Sequence, residues 1–472
     1  MDVKAIAKNA SVAFLAQGVS MLVSMLTTLL VPKVLGVEEY GYWQLFIFYS
    51  TYVGFCHLGL NDGVYLVHGG ERRDEIDKRS INSQMLVGTA FQLAVALGVL
   101  GLLSFSEIDG RRSYILACVA LFMVLKNMAL YLGFVFQSMN ETKLYSVSCM
   151  LERFCFLAPL VALLLFQVRT FEVYVLSYLL STTVQLLFCL WFARDFLSSG
   201  IENPRAAVRE TVASVRVGIK LMLANIASQL VLGIARFVID ASWGIEAFGR
   251  LSLALSMVNF FLSFVSQASM VLFPALRQGD ASDQRRFYRA ARDGMSLLFP
   301  LIYLAYFPIK AFLEAWLPVY ASSIPFFVLL LPVCVFDSRM NISCTTLFKV
   351  RREEGALFAI NVVSVLLSLA TALVGAYLLH SVYAVIIGGM LAIVVRSWVS
   401  EHLLSKRLDL DSGLGLTLGE LVLTAVFIVS SAALQAPVAL AVFASSYAFF
   451  IFLNRKRASA MARGLRATLF SN

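Results

Sequence analysis

Gly36-Val37-Glu38-Glu39-Tyr40-Gly41 and Gly244-Ile245-Glu246-Ala247-Phe248-Gly249 are two copies of one pattern, G-[VI]-E-x-[YF]-G, 208 residues apart. Each joins two apolar runs that are long enough, as helices, to cross about 30 Å of hydrocarbon. The same offset, within a few residues, aligns two basic stretches at 71–80 and 280–292, both read as short charged surface helices. It also aligns the connector at Asn140-Glu141-Thr142-Lys143 with the one at Arg351-Arg352-Glu353-Glu354. Three matches in order indicate a duplication. Six spans separate equivalent positions, so the halves have the same orientation and form a parallel repeat, an architecture that transporters use to hold a substrate between two lobes.

Outward from these loops the chain is apolar almost throughout. Of its 472 residues 60% are hydrophobic and 14% charged, against roughly 45–50% and 25% for soluble domains, which excludes a soluble fold. The expected spans are 11–31, 42–67, 83–104, 114–137, 146–167, 173–193, 217–239, 248–273, 294–315, 324–347, 356–379, 382–398, 415–433 and 437–453. No ten-residue alternation of a membrane barrel is present, and backbone groups in lipid must be satisfied within each segment. The expected fold is therefore an all-α polytopic membrane protein of about fourteen transmembrane helices, two parallel six-helix pseudo-repeats around a central cavity plus two extra C-terminal helices. The expected divisions are an N-terminal lobe at 1–193, a cytoplasmic linker at 194–216, a C-terminal lobe at 217–398, the last two spans within 399–454, and a basic tail at 455–472. The first run is too long for the apolar part of a signal peptide and is read as retained.

Charge placement sets the topology. With the amino terminus in the cytoplasm, cytoplasmic segments hold 26 Lys and Arg and the opposite side four, Lys33, Arg111, Arg112 and Arg169. This is the positive-inside distribution, and it places both termini in the cytoplasm. The net charge of +9 is thereby explained without nucleic acid. The seven cysteines fall in or beside apolar runs with no metal-ligand spacing, so neither a metal nor any other cofactor is expected.

Polar residues concentrate in the first two helices of each half. Gln17, Ser20, Ser24 and Thr27 share a face of the first span, and Ser50, Gly54, His57 and Asn61 lie along the second. Asn225, Gln229 and Arg236 mark the seventh, and Ser252, Ser256, Asn259, Ser263 and Ser266 the eighth. Two readings stand: faces that line a wet cavity, or small and hydroxyl residues that mediate helix packing. Charges inside spans cost a few kcal/mol unless they meet a cavity or a partner. Lys126 lies in the fourth span, Glu152 and Arg153 in the fifth, Arg236 and Asp240 at the outer part of the seventh, and Asp337 and Arg339 in the tenth. Asp337 with Arg339, or Glu152 with a neighbouring cation, are candidate structural pairs. Lys126 and Arg236 have fewer obvious partners and are the first candidates for contact with an anionic cargo, with Arg153 and Arg339 beside them; a guanidinium suits phosphate oxygens. Asn225, Gln229, Asn259, Gln17, His57 and Asn61 are the candidate polar contacts, and Asp337, Glu152 and Asp240 the candidate ion-coupling carboxylates. Asn61-Asp62-Gly63 is expected to break or end the second helix.

Covalent chemistry finds little footing. The Asp409-Leu410-Asp411 triplet sits in a short loop with no nucleotide-binding domain, no external connection much exceeds ten residues, and no G-x-x-x-x-G-K-[ST] is present. The chain is therefore expected to be a transporter and not an enzyme; a membrane glycosyltransferase or polymerase is the rival from another class.

Val31-Pro32-Lys33-Val34-Leu35-Gly36 followed by Glu39-Tyr40-Gly41-Tyr42-Trp43, the stretch 58–70, and the hinge 244–249 after Asp240 resemble the oligosaccharide flippases. These form the polysaccharide-biosynthesis branch of the multidrug/oligosaccharidyl-lipid/polysaccharide exporter superfamily. The resemblance implies a bacterial plasma-membrane protein that turns an undecaprenyl-diphosphate-linked glycan from the inner to the outer leaflet for surface polysaccharide such as O-antigen or capsule. Basic residues would grip its diphosphate, and membrane lipids and other polysaccharide-assembly proteins would be its partners. A cation-coupled multidrug antiporter of the same superfamily is the nearest alternative. It would use a buried carboxylate such as Asp337 or Glu152.

Overall fold

The computed structural model describes residue 18 and residues 22–278, 280–411 and 413–459, with helical residues 266–275 and 277–278 described by backbone course alone. Among the described residues eleven helices are long and apolar enough to cross a membrane. One of them, Pro204–Val265, has 62 residues, about 93 Å at 1.5 Å per residue and so three times the hydrocarbon thickness. Gly244, at φ 79° and ψ −173°, divides it into two crossings. The interrupted helix over 31–67 makes another, and most of the apolar run 11–31 lies outside the described residues, Gln17 and Ser20 included. The chain is an all-α polytopic membrane protein of about fourteen spans. It forms two compact units, Met1–Ile226 and Ala227–Asn472.

The first unit runs through α1 (Val31–Thr51), a 3-10 turn (Val53–His57), α2 (Leu60–Val67), α3 (Lys78–Ser104), α4 (Gly110–Ser138), α5 (Thr142–Leu165), α6 (Phe171–Phe192), the short α7 (Arg194–Leu197), and the start of α8 (Pro204–Gln278). Trp43 is its packing centre, with the rings of Phe46, Phe156, Tyr174 and Tyr178 all 6.0–6.2 Å away; such pairs add about 0.5–1.5 kcal/mol each beyond burial. By contrast α3 turns Leu93, Leu97 and Leu102 outward, an apolar surface suited to hydrocarbon.

The second helix breaks at Leu58 (φ 52°) and Gly59 (φ 85°), and the expected breaker Asn61-Asp62-Gly63 lies inside α2. The reason is a backbone crossing. A Cβ on Gly59 would stand 2.5 Å from the Ile219 nitrogen, one on Gly63 1.9 Å from the Ser214 carbonyl oxygen, and one on Gly218 2.0 Å from the Gly59 oxygen. Three glycines therefore let α2 and the start of α8 touch backbone to backbone. The stretch 71–77 is also not the expected charged helix: it is a run of turns, and α3 begins at Lys78, capped by Asp77, whose Oδ1 accepts from Arg79 N (3.0 Å) and Ser80 N (3.1 Å).

The second unit continues through α9 (Ala281–Leu298), α10 (Ile302–Trp316), α11 (Ile324–Arg339), a π-helical turn (Met340–Thr345), α12 (Thr346–Val350), α13 (Glu354–Leu373), a second π-helical turn (Val374–Leu378), α14 (Val382–Arg407), α15 (Leu414–Ala433) and α16 (Ala436–Leu453). Nearly every side chain of α11 is buried, as expected for a helix apolar all round. The appended α15 and α16 pack on α10 through Tyr303, which stacks on Phe427 at 4.5 Å and meets Phe443 edge-on at 5.6 Å.

Backbone landmarks repeat between the units. Gly36 (φ 77°, ψ −178°) matches Gly244, and both occupy a region open in practice only to glycine. Asn140 (φ 60°) matches Arg352 (φ 57°), and Gln167 (φ 50°) matches His380 (φ 47°). Glu141 N donates to Phe136 O as Glu353 N does to Phe348 O, each at 2.8 Å. The offset is 212 at Asn140/Arg352 and 213 at Gln167/His380, one more residue after each π-helical turn, because such a turn accommodates an extra residue. Before the first π turn the offset is thus 211, which aligns Lys126 with Asp337. The helix caps Thr170 and Ser381, both extended, are also 211 apart, which aligns Gln185 with Arg396.

Candidate functional site

Each unit holds an ion network inside its helices. In the first, Lys126 on α4 points at α5 and α6: its Nζ donates to Glu152 Oε1 (2.7 Å), Glu152 Oε2 (2.8 Å) and Gln185 Oε1 (3.0 Å). Thr182 Oγ1 donates to Glu152 Oε1 at 3.1 Å. The Lys126 side chain keeps 18% of its surface exposed and Glu152 5%. Lys126 is thus not short of partners, as the sequence suggested; Glu152 lies on the next helix, where spacing along the chain does not reveal it. Arg153, one residue on, faces Tyr178.

In the second unit Asp337, at the position equivalent to Lys126, carries the opposite charge and pairs with Arg396 at the position equivalent to Gln185. Asp337 on α11 accepts from Arg396 on α14 and, at 3.0 Å, from Asn341 Nδ2; Arg396 NH1 also donates to Ser228 Oγ at 3.0 Å. The pair expected between Asp337 and Arg339 does not form, because residues two apart on a helix do not face each other. Arg339 instead turns to a separate cluster. Its Nε lies 2.5 Å from Glu401 Oε1 as an ion pair off the hydrogen-bonding line, its NH1 meets Glu420, and NH1 also donates to Ser296 Oγ at 2.9 Å. Arg339, Glu401 and Glu420 are each 1% exposed.

The remaining candidates are more dispersed. In the second unit, Arg236 donates to Ser252 Oγ at 3.0 Å, and its guanidinium stands 4.9 Å from the Phe248 ring centre. Asp240 is buried, whereas Gln229 and Asn259 are exposed, as is Asn225 at the end of the first unit. His57 accepts from Gly59 N at 3.0 Å, and its Nε2 is 4.0 Å from Asp62. Asn61 is buried and donates to the Asn127 carbonyl at 3.3 Å. His57 and Asn61 thus brace the break in the second span.

Sequence reading missed Gln185, Thr182, Arg396, Glu401 and Glu420. For Arg396 and Glu420 the signal was available: each is an ionisable group inside an apolar span, the criterion that singled out Lys126. Glu401 lies three residues beyond the expected end of its span.

A family model for polysaccharide biosynthesis proteins matches residues 6–279. The chain belongs to that family. No curated protein matches it by sequence. Among solved structures, the chain is similar to the inward-closed lipid II flippase MurJ, with a TM-score of 0.64 at 9% identity, covering 95% of this chain and 99% of that one. It is also similar to an inward-facing multidrug resistance MATE family transporter of the MOP superfamily, with a TM-score of 0.60 at 12% identity, covering 84% and 95%. A MOP superfamily transporter from Pyrococcus furiosus, described as having a binding pocket of reverse polarity, matches with a TM-score of 0.50 at 13% identity, covering 86% and 96%. The family member thus has the fold of these transporters.

Proposed function

We propose that the protein is a flippase that carries an undecaprenyl-diphosphate-linked oligosaccharide from the inner to the outer leaflet of a bacterial plasma membrane, by alternating access of two lobes, for surface polysaccharide assembly. The carrying observation is that a member of the polysaccharide biosynthesis family is built as a transporter fold, with eleven helices long and apolar enough to cross a membrane among its described residues. The likeness to a lipid II flippase supports a lipid-linked glycan as cargo. In this reading residues 1–193 and 217–398 are the lobes, 194–216 the linker, 399–454 the appended pair and 455–472 a basic tail. Both termini face the cytoplasm, where positive loops are retained. The protein acts as a transporter, not an enzyme. Membrane lipids and other polysaccharide-assembly proteins are its partners.

Lys126 and Arg236 are the principal cargo contacts, with Arg153 beside Lys126 and the exposed Asn225, Gln229 and Asn259 as sugar-binding amides. A diphosphate arriving at Lys126 competes with Glu152 for the ammonium. Asp337 and Asp240 are the corresponding coupling carboxylates of the other half.

The test is deletion of the gene followed by lipid extraction. Accumulation of a finished undecaprenyl-linked glycan on the cytoplasmic side, with loss of surface polysaccharide, is the expected result. A shortened glycan would point to a transferase instead, and unchanged lipids with new sensitivity to cationic drugs would point to the antiporter reading.

A further inference from the structure

The Arg339 cluster has one cation too few. Two carboxylates, Glu401 and Glu420, meet a single guanidinium, and all three side chains are almost wholly buried. Arg292, the next cation, acts on Glu401 only through space and is hydrogen-bonded elsewhere: its Nε donates to Asp293 (3.0 Å), its NH2 to Asp411 Oδ1 (3.2 Å) and its NH1 to the Asp411 carbonyl (2.6 Å). Arg396 is paired with Asp337. The other groups around the cluster are neutral: Ser296 on α9, bonded to Arg339 and to the Glu420 side chain; Tyr288 on α9, whose hydroxyl lies 3.0 Å from the Glu401 carbonyl oxygen and 2.9 Å from Ser405 Oγ; Tyr303 on α10, bonded to Thr424; and Cys344 in the π turn. Glu401 Oε2 and Glu420 Oε1 are buried with no hydrogen-bond partner among the described residues. An uncompensated carboxylate buried this way costs several kcal/mol and resolves the cost by taking a proton.

From this arrangement we infer that Glu401 and Glu420 form a proton-binding site, in which the two carboxyl groups hold one exchangeable proton between them under Arg339. The proton neutralises the excess charge and supplies the donor that the orphaned oxygens lack. The site is confined to one half: Arg339 and Glu401 align with Met128 and Leu190 of the first unit, and Glu420 belongs to α15, which lies outside the repeat. Helix packing common to both halves therefore does not account for it. Loss of the proton restores like-charge repulsion between α14 and α15, so protonation controls how firmly the appended helix is held. That consequence for transport rests on the flippase reading, whereas proton binding does not.

Infrared difference spectroscopy of the purified full chain, stepped from about pH 5 to about pH 9, reads the site directly. The expected result is a carboxylic-acid C=O band that bleaches as pH rises and is lost in Glu420→Gln, in Glu401→Gln, or in both. A wild-type protein with no titrating carboxylic band, or a band that persists in both variants, overturns the inference. So does a band lost in the variants but constant with pH, which marks a locked structural proton. Should the variants fail to fold, isotopically labelled glutamate in the wild-type chain decides: a titrating glutamic-acid band that remains in Glu152→Gln supports the site, and its absence overturns it. If the band behaves as expected but the deletion strain shows no lipid-linked glycan, the flippase reading fails and the proton site stands.

Discussion

Lys126 in the first half and Asp337 in the second occupy equivalent places and carry opposite charges. Each is nonetheless paired, Lys126 with Glu152 and Gln185, Asp337 with Arg396, and Gln185 and Arg396 are themselves equivalent. The duplicated scaffold therefore preserves a polar bridge from the fourth helix of each half to the sixth and leaves the sign of its charges free. The halves differ again two residues on, where the first has Met128 and the second Arg339, with the surplus carboxylates around it. A neutral pair suits a resting membrane protein; an unbalanced triad suits a site that takes up a proton.

The sharpest way to break this comparison is to remove Arg339. Arg339→Met leaves two buried carboxylates without a counter-charge and is expected to cost about 3–5 kcal/mol, read as loss of folded protein in a detergent melt. Adding Glu401→Gln and Glu420→Gln to it recovers much of that loss. Gly36→Ala and Gly244→Ala test whether the halves remain equivalent where the structure says they do. A Cβ at either meets nothing within 4 Å, so the cost is conformational alone, about 1–3 kcal/mol and alike for the two. Unequal melting shifts would argue against a shared turn. Double-mutant cycles across Lys126/Gln185 and Asp337/Arg396 are expected to give favourable couplings of about 1 kcal/mol each, with Lys126→Ala also impairing transport at normal membrane levels; a zero coupling at one pair would show that the bridge is not conserved in energy.

The smallest effect belongs to the turns after α2. Arg73 donates to Glu141 (3.0 Å) and to Asp195 (3.1 and 3.2 Å), and Lys78 meets Asp195 at 2.8 Å. Partial burial pushes the Asp195 carboxyl up, but Lys78 and Arg73 outweigh it and hold it below the ordinary aspartate range. A depressed folded value means stability present above the unfolded pKa and lost as pH falls through the folded one. Acid titration of the melting temperature is therefore expected to decline less steeply below about pH 4 in Asp195→Asn than in the wild type.

Much of the fold was legible because a membrane imposes crude and strong rules. Span length, the placement of Lys and Arg, and the G-[VI]-E-x-[YF]-G pattern suffice for the helical class and the duplication, and the pattern's first glycine now has its reason in a backbone region other residues avoid. Local breaks were less legible. Gly59, not Asn61-Asp62-Gly63, interrupts the second span because Gly218 and Ile219 press on it, and no local signal reports a neighbour about 160 residues away in the chain. The charged residues were found as types but not as pairs. Asp337 and Arg339 are two residues apart in sequence and diverge in space, while Arg339 and Glu420 are 81 residues apart and meet.

The two π-helical turns carry a history. Each inserts a single residue into a helix of the second copy, and the chain on either side keeps its place while the numbering slips by one. A gap-free comparison of the halves loses register at both points, so the duplication fades in sequence faster than in backbone. Helices of this kind can absorb length changes without surrendering their contacts, and the bulges at 340–345 and 374–378 mark where the two copies differ in length.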